Sequence, residues 1–340
     1  MTHNRIINIE ISRSLAIISV ILIHMSMGYF YDSNLMKNDS LAWIVNNVYY
    51  SLTRFCVPVF FIIAAYISYK NITSSSWLGK TKRIAIPYVF WSAVYYYLQG
   101  GGSIIELIPK VFTSNTSFHL WFLPPFLGFV LLLPAVKKIF SSGENIKKFR
   151  YLFVFLFIFS IITPSVTFFM NNFYGGYDFL NGLGNFGLTI PGLMLYAFAF
   201  PYMHKKVIPG RWLLIYALII TLNILLNVLA SINQNSPNEY FYGYSSALVF
   251  VSSFVLFNVV MSIDFSFLPK WTASLIYKIG ECSFGIYLVH WLVYVLLDRY
   301  GLILHGRAII HPITNSIIVF FISLVLIYLA RKFRSLRHVC

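Results

Sequence analysis

Apolar stretches separated by short polar interruptions run the length of the chain, with limits near 7–29, 48–69, 84–98, 119–136, 151–169, 187–203, 212–230, 244–262, 275–297 and 313–330. A helix needs about 20 apolar residues to cross a hydrocarbon core of roughly 30 Å, and most of these stretches reach or approach that length. The run at 84–98 is short, and flanking aromatics extend it. The interruptions at 30–47, 99–118, 137–150, 170–186, 231–243 and 298–312 are each too short to fold alone, and no period repeats. This pattern predicts an all-α polytopic membrane protein of about ten transmembrane helices. Residues 1–340 form a single integral-membrane domain on this reading.

Composition sharpens the picture: 59% of residues are hydrophobic and only 10% charged, against about 25% charged in soluble domains. The formal charge of +15 would suit a nucleic-acid partner if it were spread over one surface. It is not. Arg5, Lys70, Lys80, Lys82, Arg83, the group from Lys137 to Arg150, Lys205, Lys206, Arg211, Lys270, Lys278 and the group from Arg331 to Arg337 all fall on the N-terminal side of the alternating spans. Lys37, Lys110, Arg299 and Arg307 fall on the other. Basic residues mark cytoplasmic loops, so the bias predicts an N-in, C-in topology and removes nucleic acid as a partner.

The first stretch is too long for a secretory signal, contains Arg13, and runs into Tyr29-Phe30-Tyr31-Asp32 rather than a small-residue cleavage site, so it reads as a retained span. Cys56, Cys282 and Cys340 have no paired spacing, and no metal site is expected. Gly100-Gly101-Gly102 and Gly182-Leu183-Gly184 are outward loops without the strand-to-helix setting of a phosphate cradle.

Arg13 and His24 are ionisable residues inside the first span, where such a group costs about 2.5–3.5 kcal/mol on insertion scales. Eleven residues apart on a helix, they differ by three turns plus roughly 20°, so they share a face about 16 Å apart along the axis. As a neutral imidazole, His24 has the unprotonated nitrogen that a general base needs to take a proton from a hydroxyl. Arg13 suits the phosphates of a donor arriving from the cytoplasm, since guanidinium binds phosphate in bidentate fashion; an i,i+3 ion pair with Glu10 is compatible with that role.

Arg54 lies near the outer end of the second span, either snorkelling to the interface or lining an acceptor-facing cavity, with Pro58 expected to kink the helix beside it. Lys80, Lys82 and Arg83 form a basic cluster at the cytoplasmic mouth that either fixes topology or receives donor phosphates. His119 and Trp121 open the fourth span on the outer side; Trp121 fits an interfacial aromatic belt and equally a flat face for a sugar ring. Glu281, Tyr287 and His290 put further polar chemistry inside the ninth span, with Tyr287 and His290 on one face, for a cavity or for an interhelical hydrogen bond. No GxSxG, Walker or HExxH sequence occurs, and the spans hold no dense acidic set of the kind that relays protons in ion-coupled transporters, which lowers the transporter reading without removing it.

Five of these elements, in order, resemble acyltransferase family 3, the bacterial integral-membrane O-acyltransferases. They are Arg13-x10-His24 with Glu10 three residues earlier, Val57-Pro58-Val59-Phe60-Phe61, Lys80-x-x-Arg83, His119-Leu120-Trp121-Phe122-Leu123, and Ser283-Phe284-Gly285-Ile286-Tyr287-Leu288-x-His290. The chain departs from the family pattern at Ala64-Ala65, where Ser-Gly is usual, and at Lys80, where Arg is usual. The resemblance implies a multi-pass protein of the bacterial cytoplasmic (inner) membrane that moves an acyl group, typically acetyl, from cytoplasmic acyl-CoA to a hydroxyl of a lipid-linked or cell-surface glycan. Acetyl-CoA is then a co-substrate, and no tightly bound cofactor is expected. His24 is the expected base, with Arg13, Lys80 and Arg83 on the donor. Arg54, His119, Trp121, Tyr287 and His290 are expected around the acceptor cavity, supported by Glu10 and Glu281. A polysaccharide exporter or flippase, and a non-catalytic partner in a glycan-assembly complex, remain open as alternatives.

Overall fold

The computed structural model describes residues 6–70, 76–113, 116–140, 145–175, 192–199 and 207–340. Among them all regular structure is helical. In chain order the helices are α1 (Ile7–Phe30), α2 (Ser33–Asn38), α3 (Ser40–Thr53), α4 (Cys56–Tyr69), α5 (Trp77–Leu98), α6 (Ile104–Thr113), α7 (Leu123–Phe140), α8 (Asn145–Phe157) and α9 (Thr163–Tyr174). There follow α10 (Leu195–Phe198), α11 (Pro209–Gln234), α12 (Ala247–Ser262), α13 (Lys270–Arg299) and α14 (His311–Ala330).

Among the described residues, 8 helical segments are long and apolar enough to cross a membrane, with α3–α4 and α8–α9 each counted as one. The protein is therefore an all-α polytopic membrane protein. Of the two further spans expected, 84–98 lies within α5, a helix of 22 residues whose first turns carry Lys80, Lys82 and Arg83. The other, 187–203, lies mostly outside the described residues, as do the Gly182-Leu183-Gly184 loop and the cations Arg5, Lys205 and Lys206.

The bundle is built around α1, which packs against α3, α4, α12, α13 and α14. Its sequence explains why. Ser12, Ser14, Ser19 and Ser26 are buried, and the hydroxyls of Ser12, Ser14 and Ser26 donate back to the carbonyls of Asn8, Glu10 and Leu22. Small side chains that satisfy themselves let neighbouring helices approach closely, which is how helices associate where lipid removes the hydrophobic drive. On α13 the facing residue is Gly280, where a Cβ would collide with the Glu10 carboxylate. Leu15 and Ile18, on another side of α1, are exposed.

Two other elements show the same logic. In α11 the buried positions include Asn223, Asn227 and Ser231, while Leu214, Leu218, Leu222, Leu225 and Leu229 are exposed, an inside-out pattern that belongs in lipid. Between α3 and α4 the helix breaks at Arg54–Phe55. Pro58 has no N–H to return to the Arg54 carbonyl four residues earlier, so the ladder fails there. That break sets Arg54 at a helix junction inside the protein.

Candidate functional site

His24 sits three-quarters of the way along α1, beside α13. Its Nδ1 lies 2.7 Å from His290 Nε2, with the rings stacked at a 4.9 Å centroid distance and 10° between planes. His290 Nδ1 is in turn 2.7 Å from the Tyr287 carbonyl oxygen. A carbonyl only accepts, so His290 Nδ1 carries a proton and, with the ring neutral, Nε2 is its acceptor. His24 Nδ1 must then donate, and the lone pair of His24 is left on Nε2. The edges of Phe118 and Trp291 hold the His24 ring from the side, at 5.3 and 6.2 Å.

His24 lines a cavity of 740 Å³ together with Arg54, Trp121, Tyr31, Tyr50, Glu239 and Tyr244, among others. Arg54 is buried, its Nη2 donating to Glu239 Oε2 at 3.0 Å. Its guanidinium carbon lies 4.4 Å from the Tyr50 ring centroid and 5.3 Å from that of Tyr244, so π faces and one carboxylate together replace water around the charge. Trp121 stacks on Tyr244 at 5.3 Å. The wall near His24 is thus aromatic and hydroxyl-rich, with its single guanidinium paired in charge to Glu239 while its buried Nε has no hydrogen-bond partner.

Toward the N-terminal end of α1 lie two further cavities, of 370 and 320 Å³, which share Arg13, Ala64, Arg83, Ile84 and Phe126. The first also holds Glu281 and Arg331, and the second holds Lys80 and Lys137. Arg13 Nη1 is 3.1 Å from Glu10 Oε1, and Arg331 Nη2 is 2.6 Å from Glu281 Oε1. Lys80, at the mouth, is held below the ordinary lysine range by burial and then by the neighbouring Lys137 charge. Cations thus outnumber carboxylates here, as a polyanionic ligand requires. Among the described residues no group of three His, Cys, Asp or Glu side chains could hold a metal ion.

The partition between the two sides includes the segment Phe118–Phe122, whose Phe118 and Trp121 line the 740 Å³ cavity. Phe122 and Tyr287 line the 370 Å³ cavity, and Tyr287 Oη donates to the His119 carbonyl. His119 is wholly buried, with Nδ1 2.9 Å from Ser117 Oγ and Nε2 without a hydrogen-bond partner. Its ring edge meets His290 at 5.2 Å.

The structure therefore sorts the residues expected around an acceptor into three places. Arg54 and Trp121 line the cavity that contains His24. Tyr287 lines the opposite cavity. His119 and His290 are wholly buried behind His24 and line none of these three cavities, because the Tyr287 carbonyl and the Ser117 hydroxyl hold their rings inward. Arg54 does not snorkel to the interface. Glu239, Tyr31, Tyr50 and Tyr244 are the residues that sequence reasoning missed. The available signal was Arg54 itself, a buried cation that needs a carboxylate, in a chain with only 10 Asp and Glu.

Comparison with known proteins adds one finding. A family model described as an acyltransferase domain, Acyl_transf_3, matches residues 6–332. No curated protein and no solved structure matches the chain.

Proposed function

The chain belongs to acyltransferase family 3, and on that premise we propose that this membrane acyltransferase transfers an acyl group, acetyl by preference, from cytoplasmic acyl-CoA to a hydroxyl of a lipid-linked or cell-surface glycan. The observation that carries the reading is the position of His24. It presents a lone-pair nitrogen in a ring that lines one cavity, and it shares a helix with Arg13, which lines the cation-rich cavities on the other side.

In this mechanism the acceptor hydroxyl gives its proton to His24 Nε2 as its oxygen attacks the thioester carbonyl. The C–S bond breaks, the ester forms, and the imidazolium returns the proton to the departing thiolate. His290 keeps His24 Nδ1 engaged, so that Nε2 is the nitrogen available for the proton. Arg13, Lys80 and Arg83 hold the donor phosphates. Arg54, through Glu239, and the faces of Trp121 and Tyr244 orient a neutral, polyhydroxylated acceptor. Acetyl-CoA acts as a co-substrate in a bacterial cytoplasmic (inner) membrane, with no tightly bound cofactor.

The test is ester-linked acetate on the surface glycan of cells that make the wild-type protein, His24→Ala at matched membrane level, or neither. Acetate found only with the wild type is the expected result. Equal acetylation by His24→Ala removes the proposed base, and a change in glycan export with no acetylation in any strain replaces transfer with export.

A further inference from the structure

Beside the donor cavities lies a hollow of 400 Å³ that the mechanism above does not use, lined by Lys278, Glu281, Cys282, Tyr328, Arg331, Lys332 and Arg337. It forms where the first turns of α13 meet the last turn of α14 and the residues that follow. Glu281 and Arg331 line both this hollow and the 370 Å³ cavity, so the two adjoin at that ion pair.

Three cations face the hollow without a carboxylate of their own. Among the described residues, Lys278, Lys332 and Arg337 take part in no ion pair. Lys278 Nζ and Lys332 Nζ lie 5.7 and 5.0 Å from the Tyr328 ring centroid. Arg337 is fixed by donation from Nε to the Arg331 carbonyl at 3.2 Å. The segment after it is tied to α5, where Trp91 Nε1 donates to the Val339 carbonyl at 2.8 Å. Like charges held around one ring repel in the empty state, and a multiply charged anion relieves that repulsion. The hollow thus combines anion-binding groups with an aromatic face. The cavity at Lys80 and Lys137 differs, since Ile67, Val130, Leu133 and Pro134 form much of its wall.

We propose that this hollow seats the phosphorylated nucleoside end of the acyl-CoA donor. Tyr328 lies against the base, and Lys278, Lys332 and Arg337 bind the phosphomonoester on the ribose. The pyrophosphate then rests at Arg13, Lys80, Arg83 and Arg331, and the thioester arm runs the roughly 16 Å along α1 to His24. The assignment rests on the acyl-CoA reading of the donor. It places one end of that donor on residues outside the motifs that mark the family.

The experiment measures binding of acetyl-CoA and of 3′-dephospho-acetyl-CoA to the full-length protein in phosphatidylcholine nanodiscs by calorimetry. The wild type is expected to bind the dephospho compound roughly tenfold more weakly, the value of one or two charge-assisted hydrogen bonds. Lys332→Gln combined with Arg337→Gln, both at exposed positions, should weaken acetyl-CoA by that factor and leave the dephospho compound unchanged, so the ratio falls toward one. Lys80→Gln should weaken both ligands together and keep the ratio. A ratio retained by the double variant, or lost in Lys80→Gln, overturns the assignment. So does a wild type that ignores the 3′-phosphate while the double variant loses preferential retention of phosphatidylglycerol, which makes the hollow a lipid-headgroup seat. A wild type that binds neither donor defeats the acyl-CoA reading itself, a different result from any of these.

Discussion

The cavity at His24 has one cation in its wall, Arg54, matched by one carboxylate, Glu239, and set among Tyr31, Tyr50, Trp121 and Tyr244. The cavities at Arg13 gather Arg83, Arg331, Lys80 and Lys137 besides, while the carboxylates of Glu10 and Glu281 are already bonded to Arg13 and Arg331. One side is balanced and aromatic; the other carries excess positive charge. A balanced pair in a low-dielectric wall contributes hydrogen-bonding direction with little net field, which suits a neutral hydroxyl compound. An excess of cations pays off only when a polyanion arrives. The chemistry assigned to each side follows from that difference, and so do the ways to test it.

The largest effect is expected at the junction of the two sides. His24→Ala in the purified protein should lower turnover by about 10²- to 10⁴-fold, the usual contribution of a general base, while the dissociation constant for acyl-CoA stays put. Turnover and calorimetric binding on one preparation decide this. Unchanged turnover breaks the division of labour; a donor affinity that falls with it shows that His24 also serves the cation-rich side.

His290→Asn should cost less. It removes the ring that accepts from His24 Nδ1 at 2.7 Å, without touching either cavity wall. Loss of a group that orients a functional imidazole lowers activity by about 10- to 100-fold. Because His290 acts through His24, the loss should appear in kcat with both KM values unchanged. A fall confined to KM would place His290 on a substrate instead.

Glu239→Gln tests the balance of the outer cavity. The Glu239 side chain is 48% exposed and that of Arg54 only 9%, so the variant leaves a buried guanidinium facing a neutral amide. We expect a loss of about 1–3 kcal/mol in thermal unfolding in detergent, below the cost of breaking a fully buried pair. Arg54→Met added to Glu239→Gln should restore part of that stability and none of the acceptor binding. If Glu239→Gln unfolds like the wild type, the pair does not hold the cavity together.

These three positions also mark what the sequence makes legible. Spans follow from apolar run length, and the shared face of Arg13 and His24 follows because both belong to one helix with a fixed angle per residue. The break at Arg54 is readable from Pro58 for the same local reason. His24 and His290 are 266 positions apart, and Arg54 and Glu239 are 185 apart. Nothing in periodicity says which helices will be neighbours, so these pairs emerge only from the packing of α1 against α13 and of the α3–α4 junction against the segment before α12. His119 and His290 show the converse failure. Polar residues inside spans suggest a cavity, but a ring can equally be turned inward to satisfy a neighbour, as the His119 ring does toward the Ser117 hydroxyl and the His290 ring toward the Tyr287 carbonyl.

The smallest expected effect isolates the cation-rich side by its pH dependence. Burial and the Lys137 charge lower the Lys80 pKa from its ordinary 10.5. The ammonium is therefore complete below that lowered value and lost as pH rises through it, earlier than for a lysine in water. A phosphate binds the charged form, so by linkage donor affinity is full on the acid side and declines on the alkaline side. Lys80 stands at the mouth, so the decline should be modest, up to about fivefold in KM for acyl-CoA, as for a solvent-screened ion pair. Lys80→Arg keeps its charge across the range and should flatten this limb, at the family's more usual residue for the position. The acceptor KM, measured in the same series, provides the internal reference because Lys80 lines none of the wall around His24. A limb that survives in Lys80→Arg belongs to another group. A limb that appears in the acceptor KM as well would mean that the two sides are coupled through the partition at Phe122 and Tyr287, and the comparison between them would have to be redrawn as one continuous site.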